Sequence, residues 1–79
     1  MKMTYDPSVN AAYVFLVDSI GYGEVDISQH SIFTLGDRSE LILDFDVNGH
    51  LLGIEILDAD QIIRPELLQS AELPGAASA

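Results

Sequence analysis

Two apolar runs on either side of the dipeptide Asn48–Gly49 limit the fold of this 79-residue chain more than any other feature. Asn-Gly favours the positive backbone dihedrals of a tight turn, and the flanking residues alternate with the period of a half-buried strand. A three-residue loop would set Asp44 against Leu52 and waste the apolar face. A two-residue loop pairs Phe45 with Leu52, Leu43 with Ile54, and Leu41 with Ile56. The sequence therefore predicts a hairpin over residues 41–57 with a two-residue loop.

Other segments carry weaker strand patterns. Residues 1–5 alternate apolar and polar side chains, residues 11–17 are apolar at every position, and residues 24–35 hold one or two further strands. These patterns predict an α+β fold that is mainly β, a small antiparallel meander sheet of four to five strands.

A short C-terminal helix completes the predicted fold. Asp58 with Gln61 has the form of a capping box that would begin a helix, and Pro65 suits the first position of another helical turn. We assign residues 1–72 to a single domain and residues 73–79 to a flexible C-terminal tail.

Both faces of the predicted sheet are apolar. One face would carry Tyr13, Phe15, Leu43, Phe45, Leu52, Ile54 and Ile56, and the other Val14, Leu16, Ile42, Leu51 and Leu57. A single short helix covers one face only, and a core of this size rarely supplies more than about 3–5 kcal/mol without disulfides or a metal. The chain has no cysteine. We therefore expect a homodimer, with the interface candidates Tyr13, Phe15, Val14, Leu16, Ile42, Leu51 and Leu57.

The net charge of −10 comes from thirteen acidic and three basic residues. Lys2, Arg38 and Arg64 are too far apart in sequence to form the basic stripe that nucleic acids require, so neither DNA nor RNA is an expected partner. No apolar run approaches the roughly 18 residues of a membrane span, and we expect a cytoplasmic protein. The same charge suits a small basic protein as a partner.

Residues 44–55 match the spacing of a calcium-binding loop, with Asp44, Asp46, Asn48 and Glu55 as the oxygen ligands. Such a loop needs a helix on each side, whereas the flanking alternation predicts strands. A hairpin with a solvated acidic edge is therefore the preferred interpretation, and a calcium site is the alternative. Asp44 and Glu55 are also the best acid–base pair, but nothing in the sequence builds a pocket around them. We assign no catalytic residue and no cofactor.

The segments TYDPSVNAAYVFL and LILDFDVNGHLLGIEILDAD, with the tail RPELLQ, resemble the small bacterial domain-of-unknown-function family 2283. This resemblance covers most of residues 1–60 and implies a small antiparallel sheet with a terminal helix, and no established activity, substrate or cofactor. The chain departs from the family pattern at Asn10, where an aspartate is common, and at Ala12, where a larger aliphatic residue is usual.

These observations predict a non-enzymatic structural or interaction module that forms a homodimer. One alternative is an antitoxin-like partner of a small basic protein. The second alternative is a calcium-binding protein that uses the 44–55 loop.

Overall fold

The strand patterns of the sequence pair into one antiparallel sheet in the computed structural model, which describes residues 1–75. The strands are β1 (Lys2–Asp6), β2 (Ala11–Phe15), β3 (Ile27–Phe33), β4 (Glu40–Phe45) and β5 (Leu51–Leu57). Single 3₁₀ turns span Leu35–Asp37 and Ala59–Gln61, and the helix α1 spans Pro65–Ser70. The prediction of a mainly β fold with a short C-terminal helix is confirmed. Residues 76–79 of the predicted tail lie outside the described residues.

The order of the strands in the sheet is β1-β2-β5-β4-β3. Residues 16–26 carry the chain from β2 to the far edge of the sheet, and β3, β4 and β5 then return strand by strand until β5 pairs with β2. The sheet thus consists of the β1–β2 hairpin and the β3–β4–β5 meander, joined where β2 pairs with the central strand β5.

The hairpin turn differs from the prediction. The Asp46 N–H donates to the His50 carbonyl over 2.9 Å, which closes a three-residue loop in which Gly49 has φ +79°. Phe45 then faces Leu51, and the bulged residue Leu52 restores the predicted register for the pairs Leu43–Ile54 and Leu41–Ile56. The predicted two-residue loop and the Phe45–Leu52 pair are wrong, because a bulge lets the longer loop coexist with the apolar register.

The assignment of β2 to the two faces is also corrected. Val14 lies opposite Ile54, and Tyr13 lies opposite Glu55. We call the side that carries Met3, Tyr5, Ala12, Val14, Ile27, Gln29, Ile32, Leu41, Leu43, Phe45, Ile54 and Ile56 the apolar face. The mixed face carries Thr4, Asp6, Tyr13, Phe15, Ile42, Asp44, Gly53, Glu55 and Leu57. Tyr13 and Phe15 were expected beside Leu43, but β2 is apolar at every position, and no turn fixes its register against β5.

The core lies at one end of the apolar face. Ala12, Ile56 and Ala59 are buried together, and Ile63 and Leu68 of the C-terminal segment, residues 58–75, pack against them. Within residues 1–75 no large side chain is fully buried. The sheet therefore has a small core beneath the C-terminal segment, and Ile42 and Leu52 are buried outside this cluster.

The C-terminal segment begins differently from the prediction. Asp58 adopts a left-handed conformation, φ +52°, and its side chain caps no N–H, so the predicted capping box does not form and a single 3₁₀ turn follows. Pro65 begins α1 as predicted. The chain then reaches the outer edge of β1, where the Tyr5 N–H donates to the Glu72 carbonyl over 2.8 Å. Among the described residues, no helix is long and apolar enough to cross a membrane.

Candidate functional site

A tyrosine–aspartate brace joins side chains from three strands on the mixed face, β2, β4 and β3. Tyr13 on β2 donates its hydroxyl to Asp44 Oδ2 on β4 over 2.6 Å, and Ser28 on β3 donates to Asp44 Oδ1 over 2.5 Å. To reach Asp44, the tyrosine ring passes over Gly53 of the intervening strand β5. A Cβ atom at position 53 would lie 2.5 Å from Tyr13 Cε1 and from its hydroxyl oxygen. Gly53 is therefore the position at which β5 makes room for the brace.

The protonation of Tyr13 follows from this environment. Burial, the hydrogen bond to Asp44, and the negative charges of Asp44 and Glu55 all raise the pKa of the Tyr13 hydroxyl well above its ordinary value. Tyr13 thus stays protonated at neutral pH and acts as a hydrogen-bond donor. Both Asp44 oxygens are occupied by hydroxyl donors, so the arrangement ties β2, β3 and β4 together.

The four residues of the calcium-loop pattern do not converge. Asp44 belongs to the brace, and Asp46 and Asn48 lie in the turn, while Glu55 lies on β5 opposite Tyr13 and Ile42. The segment that carries them is a hairpin and not a loop between helices. Across residues 1–75 no group of three or more histidine, cysteine or acidic side chains is placed to hold a metal ion.

Asp46 stabilises the hairpin turn. Its Oδ1 accepts the backbone N–H groups of Asn48 and His50, each over 2.9 Å. The hydrogen bond from the His50 N–H lowers the pKa of Asp46 and is the largest single cause. Desolvation raises the pKa by less than this bond lowers it, and the Asn48 N–H and the nearby His50 ring lower it further. The ring nitrogen Nδ1 of His50 lies 3.4 Å from Asp46 Oδ2. These bonds favour the three-residue loop over the two-residue loop that Asn-Gly alone predicts.

Asn10 joins the β1–β2 turn to the C-terminal segment through hydrogen bonds. Its Oδ1 accepts the Tyr5 hydroxyl over 2.9 Å and the Asp60 N–H over 3.1 Å. Its Nδ2 donates to Asp60 Oδ1 over 2.7 Å. An aspartate at this position would lack that donor and face a second carboxylate, so asparagine and Asp60 form a matched pair in this chain.

The predicted interface residues are divided between the two faces. Tyr13, Phe15 and Leu57 lie on the mixed face, together with Ile42, which is only 7% exposed and offers little surface to a partner. Val14 lies on the apolar face, and Leu51 lies opposite Phe45 at the hairpin end. Leu16 follows β2, and its N–H donates to the Leu52 carbonyl over 3.0 Å.

The sequence reasoning missed several residues of these surfaces. Ile27 is 60% exposed at the start of β3, in the same row as Phe45 of the apolar face. The only sequence signal for Ile27 was the short alternation at residues 24–27. For Gly53 there was no signal, because its role depends on a side chain from a strand that is distant in sequence.

A family model described as "Protein of unknown function (DUF2283)" matches residues 2–59, well over half of the chain. The match covers the sheet and ends at Ala59, before α1. No match was found among curated proteins or among solved structures.

Proposed function

The chain belongs to the DUF2283 family, and from the geometry of its sheet we propose that it is a non-enzymatic interaction module that acts as a homodimer. The observation that carries this proposal is the part of the apolar face that the C-terminal segment leaves uncovered. The brace on the mixed face supports a non-enzymatic role, because its hydroxyl and carboxylate groups are occupied by one another.

The dimensions of the helix and the sheet explain the uncovered region. Helix α1 has six residues, about 9 Å at 1.5 Å per residue, whereas five strands spaced by about 4.8 Å span roughly 19 Å. Val14 packs at the margin of the core around Ala12 and Ile56, whereas Ile27, Leu43 and Phe45 are not among the side chains that pack there.

We call Val14, Leu16, Ile27, Leu43 and Phe45 the dimer patch. The register places Val14 and Leu43 on either side of Ile54, and Phe45 beside Ile27, so the patch is continuous from β2 to β3. A continuous apolar patch on a small sheet is typical of an interface, and burying it would add to a core that lacks any fully buried large side chain.

The placement of charge also favours this face. Within the five strands the apolar face carries no charged residue, while Asp6, Glu40, Asp44 and Glu55 belong to the mixed face. Two copies could therefore pack through their apolar faces without bringing strand carboxylates together, although each chain has a net charge of −10. A twofold arrangement makes the same patch serve both subunits.

A pair of glutamate substitutions tests where the interface lies. Ile27→Glu places a charge in the dimer patch, and Val47→Glu places the same charge at the hairpin turn, where Val47 is 77% exposed. We expect light scattering at micromolar concentration to give a dimer mass for the wild type and for Val47→Glu, and a monomer mass for Ile27→Glu. Loss of the dimer in both variants, or in neither, would contradict an interface on the apolar face.

A second candidate function, an antitoxin-like partner of a small basic protein, is favoured by the unneutralised charge. Within residues 1–75 the only close contact between an acidic and a basic side chain joins Asp46 to His50, whose ring is charged only when protonated, so the other carboxylates have no basic partner there. Opposite charge would accelerate association with a basic protein. Co-expression with a small basic protein encoded beside this chain tests this function, and failure of the two to co-purify at low salt would count against it.

A further inference from the structure

The mixed face contains a groove that is separate from the dimer patch. Its volume is about 330 Å³, and its lining includes two aromatic rings, Tyr13 and Phe15, and two carboxylates, Asp6 and Glu55. Thr4 of β1 lies opposite Tyr13 in the register and also lines the groove. The groove thus combines electron-rich rings with negative charge.

The aromatic pair is held in a fixed arrangement. The ring centroids of Tyr13 and Phe15 lie 4.8 Å apart with planes at 59°, and the Tyr13 ring is tethered through its hydroxyl to Asp44. The face of an aromatic ring attracts cations. The chain already uses this attraction, because the Lys2 ammonium lies 4.8 Å from the centroid of the Phe15 ring.

The two carboxylates of the groove lack a basic partner within residues 1–75. Asp6 accepts hydrogen bonds from Ser8 through one oxygen, Oδ1, and Glu55 lies directly opposite Tyr13 in the β2–β5 pairing. The charge of the Lys2 ammonium is directed at the Phe15 ring and forms no ion pair with Glu55. The groove therefore has space and negative charge for a second cation.

We propose that this groove binds an arginine side chain presented by a basic partner protein. A planar guanidinium can stack on an aromatic ring while it donates two parallel hydrogen bonds to one carboxylate, which an ammonium group cannot do. The Tyr13 ring supplies the stacking surface and Glu55 supplies the carboxylate, while the Phe15 ring, which the Lys2 ammonium already faces, lines the groove beside them. This inference does not rest on the homodimer, because the groove and the dimer patch lie on opposite faces of the sheet.

The probe is a short peptide of alternating glycine and arginine, titrated into the full chain at low salt and followed by NMR chemical shifts. The control peptide carries citrulline, which has nearly the same shape without the charge. We expect the arginine peptide to shift the signals of Tyr13, Phe15 and Glu55, and the citrulline peptide to leave them in place. Shifts confined to other surfaces, or equal shifts with both peptides, would overturn the proposal.

Two matched pairs of variants distinguish peptide binding in the groove from nonspecific electrostatic attraction to the acidic chain. Glu55→Gln and Glu66→Gln each remove one negative charge, and we expect the first to weaken binding by about 3- to 5-fold and the second by less than about 2-fold. Lys2→Gln and Arg64→Gln each remove one positive charge, and we expect Lys2→Gln to tighten binding more, because it also frees the Phe15 ring. Equal effects within each pair would show nonspecific attraction and refute the site.

Discussion

Replacing Gly53 with alanine should break the brace on the mixed face. The new Cβ atom would lie 2.5 Å from Tyr13 Cε1 and from the Tyr13 hydroxyl oxygen, and 2.7 Å from Cζ, distances that real Cβ atoms essentially never show. The ring must move away, and the 2.6 Å bond from its hydroxyl to Asp44 cannot survive that movement. Gly53 does not have a positive φ, so the penalty is steric and not conformational.

The expected cost combines overpacking with the loss of a hydrogen bond to a charged group. Overpacking costs about 1–3 kcal/mol, and a hydrogen bond to a charged group contributes about 1.5–3 kcal/mol. Replacing a strand glycine with alanine raises the free energy of unfolding by about 0.5–1 kcal/mol, because glycine loses more conformational entropy on folding. Together these ranges allow about 1.5–5.5 kcal/mol. Because the Tyr13–Asp44 bond is only partly buried, we expect Gly53→Ala to cost an amount near the low end, about 2 kcal/mol, and Tm to fall by about 8–16 °C at the 4–8 °C per kcal/mol of a small domain.

A double-mutant cycle with Tyr13→Leu isolates the cause. The three heavy atoms nearest to the new methyl group all belong to Tyr13, so Gly53→Ala should become neutral or slightly stabilising in the Tyr13→Leu background. Chemical denaturation of the four proteins should give a coupling free energy of about 2 kcal/mol between the two positions. An equal cost of Gly53→Ala in both backgrounds would refute the argument that Gly53 makes room for Tyr13.

Three further predictions follow from the hydrogen bonds of the sheet. Because the pKa of Tyr13 is raised on folding, the stability it contributes should be complete below about pH 10 and lost at higher pH, and Tyr13→Phe should remove the last-titrating component of the phenolate absorbance. Asn10→Asp should cost about 1 kcal/mol, since it sets two carboxylates against each other, and adding Asp60→Asn should restore the loss in thermal melts. Asp46→Ala should lower Tm more than Asp46→Asn, because asparagine retains the oxygen that accepts the N–H groups of the turn. Because the pKa of Asp46 is lowered, the stability advantage of the wild type over Asp46→Asn should disappear as the pH falls through that pKa.

The parts of the fold that depend on local patterns could be predicted from the sequence. Asn48–Gly49 and the alternation around it located the hairpin, and Pro65 located the start of α1. The loop length could not be predicted, because the Asp46 carboxylate binds two N–H groups of the turn and stabilises a longer loop.

Features that depend on distant strands were not predictable in the same way. β2 is apolar on both sides, so its alternation could not show that Tyr13 lies opposite Glu55. The brace joins β2 to β4 across Gly53 of β5, and no local pattern reports a contact between strands that lie so far apart in sequence. The arrangement of side chains on the mixed face could therefore be established only from the structure.

The central claim is that two copies of the chain pack through their apolar faces. Sedimentation equilibrium of the wild-type protein tests the association of the two copies directly, because it gives the mass in solution without depending on shape. We predict twice the 8.6 kDa mass of one chain at micromolar concentration, with dissociation on dilution. A mass of one chain over the whole concentration range would contradict the account.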